Sequence, residues 1–159
     1  MKESPTPGHR GLTPSDPGFE ARTRASFARQ GIMGLIGATM DRVEAGRVEI
    51  SLPFRPELSQ QHGFFHAGVI STIADSAGGY AGFTLFPADA GVLTVEFKIN
   101  LLAAADGDRA IAAGEVIRSG RTLTVCRLDA WVEKGGKRTL CATGMQTLMT
   151  LVGRAGVKD

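Results

Sequence analysis

Between residues 66 and 83 the chain places Gly68, Gly78, Gly79 and Gly82 in a stretch whose apolar residues keep a helical beat. Val69, Ile70, Ile73, Ala74, Ala77 and Ala81 recur at steps of three and four, which predicts a helix with one apolar stripe. Each glycine in a helix interior costs roughly 1 kcal/mol relative to alanine. Such a helix persists only where tertiary packing offsets that cost, and small residues allow neighbours to approach its backbone closely. The segment is therefore expected to be a buried central helix.

The flanking sequence keeps a period of two. A strand over 37–43 and a turn at Glu44-Ala45-Gly46 lead into a run in which Val48, Ile50, Leu52 and Phe54 alternate with Arg47, Glu49 and Ser51. Pro53 and Pro56 end that ladder. After Pro87, Leu93, Val95, Phe97 and Ile99 alternate with Thr94, Glu96, Lys98 and Asn100, which predicts a half-buried strand. Strands over 109–118, 122–133 and 138–151 follow, divided by Asp106-Gly107-Asp108, Ser119-Gly120 and Lys134-Gly135-Gly136-Lys137. A further helix is expected over 19–30, stopped by Gly31. Residues 1–18 hold four of the seven prolines and read as a flexible tail, leaving 19–159 as a single domain. The order of elements predicts an α+β fold, one long central helix against a curved antiparallel sheet of five to six strands. One helix cannot cover such a sheet, and an open edge strand invites pairing, so a dimer is expected.

Composition removes several classes of function. A net charge of +2 with scattered basic residues gives no footprint for nucleic acid. No run of 18 apolar residues is long enough to cross a membrane, and the start of the chain has no signal-peptide core, so a cytoplasmic location is expected. Cys126 and Cys141 lack C-x-x-C spacing; they are expected to be small core residues, with no metal and no disulfide framework.

Chemistry concentrates in Gln60-Gln61-His62-Gly63-Phe64-Phe65-His66-Ala67-Gly68 and in Ile73-Ala74-Asp75-Ser76-Ala77. Asp75 is a carboxylate in a helix of small apolar residues, a costly position for a charge without a role. A helix start presents unsatisfied N–H groups and the positive end of the dipole, and Ala67 and Gly68 fall there.

This pattern resembles the PaaI-like branch of the hotdog thioesterases. That family carries Asn or Gln, then six residues later His-Gly-Gly opening the central helix, then an acid nine residues after the His. Gln60, His66 and Asp75 reproduce both spacings, and the strand around Thr94 is similar to the family's strand after the helix. The resemblance spans residues 31–151. It implies a hotdog fold and hydrolysis of an acyl-CoA thioester without a further cofactor, since coenzyme A is part of the substrate. It also implies a homodimer, with relatives often pairing into tetramers. His66-Ala67-Gly68 departs from His-Gly-Gly, but the position acts through its backbone N–H, which alanine keeps. The added methyl bears on the fit of the acyl group.

Within that reading Ala67 N–H is the oxyanion donor, and fixed donors at a developing oxyanion are usually the largest catalytic contribution. Gln60 binds the carbonyl or positions water, with Gln61 the competing choice, and Asp75 is general base or nucleophile. Ala67 and Asp75 lie eight residues apart on one helix, about 12 Å at the helical rise. Both cannot reach one carbonyl from the same helix. Donor and acid are then expected from different subunits, with antiparallel helices about a two-fold axis and two equivalent sites.

Each assignment has a plainer alternative. His66 either positions the carbonyl or only caps the helix. Thr94 either helps hold the water or is an ordinary strand residue. Asp75 is otherwise a satisfied helix acid and Gln60 an ordinary loop residue. Gly68 and Phe65 are expected against the substrate, although a hydrophobic staple also explains Phe65. Arg118 and Arg121 suit the coenzyme A phosphates, or are solvated turn residues. A hotdog hydratase or dehydratase and a non-catalytic acyl-CoA-binding module are the competing functions.

Overall fold

The computed structural model describes residues 12–153. Two short helices, α1 (Phe19–Ala28) and α2 (Gly31–Ile36), precede a hairpin of β1 (Thr39–Glu44) and β2 (Arg47–Pro53). A single 3-10 turn at Pro56–Leu58 leads into the long helix α3 (Ala67–Phe83). Strands β3 (Ala90–Leu101), β4 (Arg109–Ser119), β5 (Leu123–Lys134) and β6 (Lys137–Val152) complete one sheet in the order β1-β2-β4-β5-β6-β3. All pairings are antiparallel. One long helix wrapped by a six-stranded sheet is the hotdog arrangement.

The inward positions of the strands meet α3. Val48, Ile50 and Leu52 of β2, Cys126, Leu128 and Ala130 of β5, and Ala142 and Leu148 of β6 are buried with Ile70, Ile73, Ala74 and Ala77. The helix glycines explain how the layers come so close. A Cβ at Gly78 would collide with the Gln146 side chain and with Leu128, and one at Gly82 would collide with Leu148. Across the interface Gly114 of β4 lies against the backbone of Ala77 and Gly78. Gly79 differs, since a Cβ there would meet nothing within 4 Å.

Three local expectations change. Gly31 ends no helix; α1 stops at Ala28, and Gly31 opens α2, which closes at Gly37 with a left-handed φ of 75°. Six residues are too few to show a helical period in sequence. Strand β3 is not half-buried in the protomer: it is an edge strand, with Leu93 50%, Val95 54% and Phe97 42% exposed. Its alternation also breaks. The register passes from Thr94↔Leu148 to Glu96↔Thr147, leaving Val95 as an extra residue. A bulge of one residue reverses the parity that follows it. Thr94 thus shares the helix-facing side with Phe97, opposite Gln146, and with Ile99, opposite Gly144, instead of opposing them.

Of the tail expected over 1–18, residues 1–11 lie outside the described residues. Residues 12–18 run against the domain. Ser15 Oγ donates to the Leu85 carbonyl at 3.0 Å, and Asp16 pairs with Arg22 at 2.9 Å. Arg22 in turn donates to the carbonyls of Phe83 and Phe86, closing the C-terminal end of α3. Among the described residues no helix is long and apolar enough to cross a membrane.

Candidate functional site

The loop before α3 is held from both sides. His66 N–H donates to Leu58 O at 2.9 Å and Phe65 N–H to Ala105 O at 3.0 Å. Gly63, with φ of 82°, closes a turn onto the Gln60 carbonyl at 3.0 Å. Phe65 is buried edge-to-face against Phe54. These contacts fix the entry angle of the helix.

His66 is the N-cap: its Nδ1 accepts from Gly68 N–H at 2.9 Å. With Nδ1 an acceptor, a neutral ring carries its proton on Nε2. The next two amides, of Val69 and Ile70, both donate to the His66 carbonyl. Of the four N–H groups that an α-helix leaves unpaired at its start, only that of Ala67 keeps no partner among the described residues. Gly68 N–H is therefore occupied by the cap.

Ala67 faces a cavity of about 200 Å³ that Gln60, Phe64, Phe65 and Ile70 also line. Gln60 Oε1 accepts from His62 N–H, which leaves its Nε2 as the donor available to that cavity. Gln61 is exposed and its amide sits beside the His62 ring. The structure brings Gln60, not Gln61, together with Ala67 and Phe65.

Two turns along α3, Asp75 opens into a different cavity of about 370 Å³. Its Oδ1 accepts from the Thr94 hydroxyl at 2.8 Å and from Gln146 Nε2 at 2.6 Å. Its Oδ2 has no partner among the described residues. The remaining wall includes Ser26, Gln30, Tyr80 and Gly79. Ser26 and Tyr80 hydroxyls lie 3.2 Å apart, and Ser76 donates to Gln30 Oε1 at 3.2 Å. The arrangement offers a carboxylate with one oxygen anchored and the other open, and elsewhere on the same helix a free backbone donor.

Arg118 and Arg121 come to neither cavity. Both are exposed, and Arg118 sits on β4 opposite Val125, three strands across the sheet from β3. At about 4.8 Å between strands that is roughly 14 Å. Among the described residues no group of three or more His, Cys, Asp or Glu side chains is placed to hold a metal ion.

Sequence reasoning missed three contributors. Gln146 stands at a helix-facing position of β6 between Gly144 and Leu148, and an uncharged polar residue in that alternation is the signal that marks it. Ser26 and Gln30 come from the first helix and the link to α2; their relation to Asp75 has no signature in the chain.

The family model of the thioesterase superfamily matches residues 62–139. The fold is shared with a crystal structure of a thioesterase family protein from Silicibacter pomeroyi, 48% identical, with a TM-score of 0.84 over 86% of this chain and 100% of that one. A thioesterase from Haemophilus influenzae has a TM-score of 0.73 at 20% identity, covering 82% of this chain and 90% of its own. A protein of Saccharolobus solfataricus named "Putative esterase" is 32% identical over 116 residues, 73% of this chain and 75% of that protein.

Proposed function

Because the chain belongs to the thioesterase superfamily, we propose that it hydrolyses an acyl-CoA thioester to the free acid and coenzyme A, at two equivalent sites shared between the subunits of a homodimer. The observation that carries this reading is the separation of its two chemical groups. Ala67, which carries the unpartnered amide at the start of α3, lines one cavity and Asp75 lines another. An antiparallel two-fold pairing of α3 sets the Ala67 cavity of one protomer against the Asp75 cavity of its partner. The unpaired edge of β3, with its exposed apolar side chains, supports a second copy as the missing neighbour.

In this reading the thioester carbonyl accepts from Ala67 N–H and from Gln60 Nε2. Asp75 Oδ2 takes a proton from water as it adds to the carbonyl carbon, and the oxyanion is held at the start of the partner's helix. Collapse of the adduct breaks the C–S bond, and the proton on Asp75 passes to the departing sulfur. Direct attack by Oδ2, giving an anhydride that water then opens, uses the same groups. His66 holds the turn, and Thr94 holds Oδ1. Gly68 and Phe65 shape the substrate's approach.

A panel of aryl, short-, medium- and long-chain acyl-CoA thioesters with one 3-hydroxyacyl-CoA, assayed for free thiol and for alkene, tests the proposal. Turnover of at least one class is expected. Binding throughout without thiol release would leave a binding module, and alkene formation from a 3-hydroxyacyl-CoA without thiol release would make it a hydratase. Either result overturns the hydrolytic reading.

A further inference from the structure

We infer that Gln146, on the last strand, is a positioning residue that fixes which oxygen of Asp75 is left free to react; the inference rests on the thioesterase reading above. Gln146 is 1% exposed, the most deeply placed amide side chain in the described core. Its Nε2 lies 2.6 Å from Asp75 Oδ1, 3.1 Å from the Asp75 carbonyl and 3.0 Å from Thr94 Oγ1. Three acceptors surround a nitrogen that carries two protons, and all three belong to Asp75 or its partner Thr94.

The orientation of the amide follows from chemistry. Reversed, Gln146 Oε1 would face a carboxylate oxygen and a backbone carbonyl, with no proton between them. With Nε2 inward, Oε1 points back at α3, where it is buried and has no hydrogen-bond partner. A buried acceptor left unsatisfied costs about 1–3 kcal/mol. An apolar residue at this inward position would avoid that cost, as Leu148 and Ala142 do on the same strand face. Room for Oε1 is made by the missing side chain of Gly78, the one glycine of α3 whose Cβ would strike it. Two unfavourable features, an orphan acceptor and a helix glycine, are thus spent on one amide nitrogen.

The hydrogen bonds have a direction. Gln146 donates to Thr94 Oγ1, so the Thr94 hydroxyl turns its proton to Asp75 Oδ1. Oδ1 then holds two donors, and its lone pairs are engaged. The carboxylate cannot rotate without breaking both bonds, and Oδ2 stays aimed at the cavity. Thr94 pairs with Leu148, two residues from Gln146 on β6, so the Thr94 and Gln146 side chains lie on the same, helix-facing side. Gln146 touches no substrate in this arrangement; it acts through Asp75.

Replacing Gln146 by Leu or Met removes the donor and keeps most of the volume. Gln146→Leu is expected to lower kcat by about 10- to 100-fold, the range for a slightly misplaced reacting group, with KM and dimer mass unchanged. Gln146→Met serves if the leucine variant does not fold. The deciding measurement is a double-mutant cycle. In an Asp75→Asn background the same substitution is expected to change kcat by less than about twofold, since the group it positions is already gone. Equal losses in both backgrounds, or a wild-type kcat for both single variants of Gln146, would overturn the positioning role and leave the thioesterase reading intact. A protein that releases no thiol, or an Asp75→Asn variant at the wild-type rate, overturns both.

Discussion

Ala67 and Asp75 belong to one helix and open into different cavities. Eight residues of α-helix separate them by about 12 Å, whereas the atoms of a thioester carbonyl and an attacking water lie within about 3–3.5 Å. In the proposed reading a protomer alone therefore holds both halves of a site but no whole one.

Asp75→Asn keeps the size of the side chain and the two donors' approach while removing the base. Thiol release is expected to fall by about 10² to 10⁴, with the thermal midpoint within a few degrees of wild type. Steady-state kinetics beside a melting curve checks this, and an undiminished kcat would remove Asp75 from the chemistry.

Ala67→Pro deletes the one free amide of the helix start. Proline is tolerated at this first helical position, and His66, with φ of −66° and ψ of 138°, already has the extended backbone that precedes proline comfortably. The fold is expected to survive and kcat to fall by roughly 10²- to 10³-fold, as for a lost oxyanion donor. Full activity would refute the donor.

The two inactive variants also test whether the site is shared. In a mixed dimer of Asp75→Asn with Ala67→Pro, one site collects both lesions and the other collects neither. Refolding an equal mixture is expected to restore about a quarter of the wild-type rate, half the dimers being mixed with one sound site each. No recovery, with mixed dimers confirmed by mass, would place both groups on one chain.

Adjacent glycines should respond in opposite directions. At Gly79 a methyl meets open space, so Gly79→Ala is expected to stabilise the helix by up to about 1 kcal/mol, and to raise KM for bulky acyl groups as the cavity beside Asp75 narrows. At Gly78 the methyl meets Gln146 and Leu128, and Gly78→Ala is expected to destabilise by about 1–3 kcal/mol. Denaturant titration of the two variants checks the pair.

Cys126 and Cys141 are buried, and burial pushes their thiols up from 9.0 to about 12 and about 11. A thiol that ionises more readily when unfolded favours unfolding only once the unfolded chain begins to ionise. The stability contribution is thus whole below pH 9 and is lost as pH climbs from 9 through 11 to 12. For Cys126 the loss is roughly 1.4 kcal/mol per pH unit across that window. Denaturation midpoints from pH 8 to 10.5 are expected to fall less steeply in Cys126→Ala than in wild type.

Periodicity made α3 and the strands legible, because burial on one face of a helix or sheet writes its period into local sequence. The spacing from Gln60 through His66 to Asp75 pointed to the segment that lines the two cavities. What stayed hidden is non-local. Gln146 is 71 residues from Asp75, and their meeting depends on how β6 lies beneath α3. The bulge at Val95 is set by the pairing of β3 with β6, and no residue in Leu93-Thr94-Val95-Glu96 announces it. Gln61 and Gln60 differ only in which way a turn closes, decided by Gly63 and its left-handed φ.

In the proposed dimer the bare outer rim of β3 links turnover to concentration. Its unpaired amides and carbonyls, beside Leu93, Val95, Phe97 and Leu101, are a ready template for any extended peptide. On that proposal a lone subunit is both idle and sticky. Specific activity is expected to decline on dilution, as the fraction of lone subunits grows.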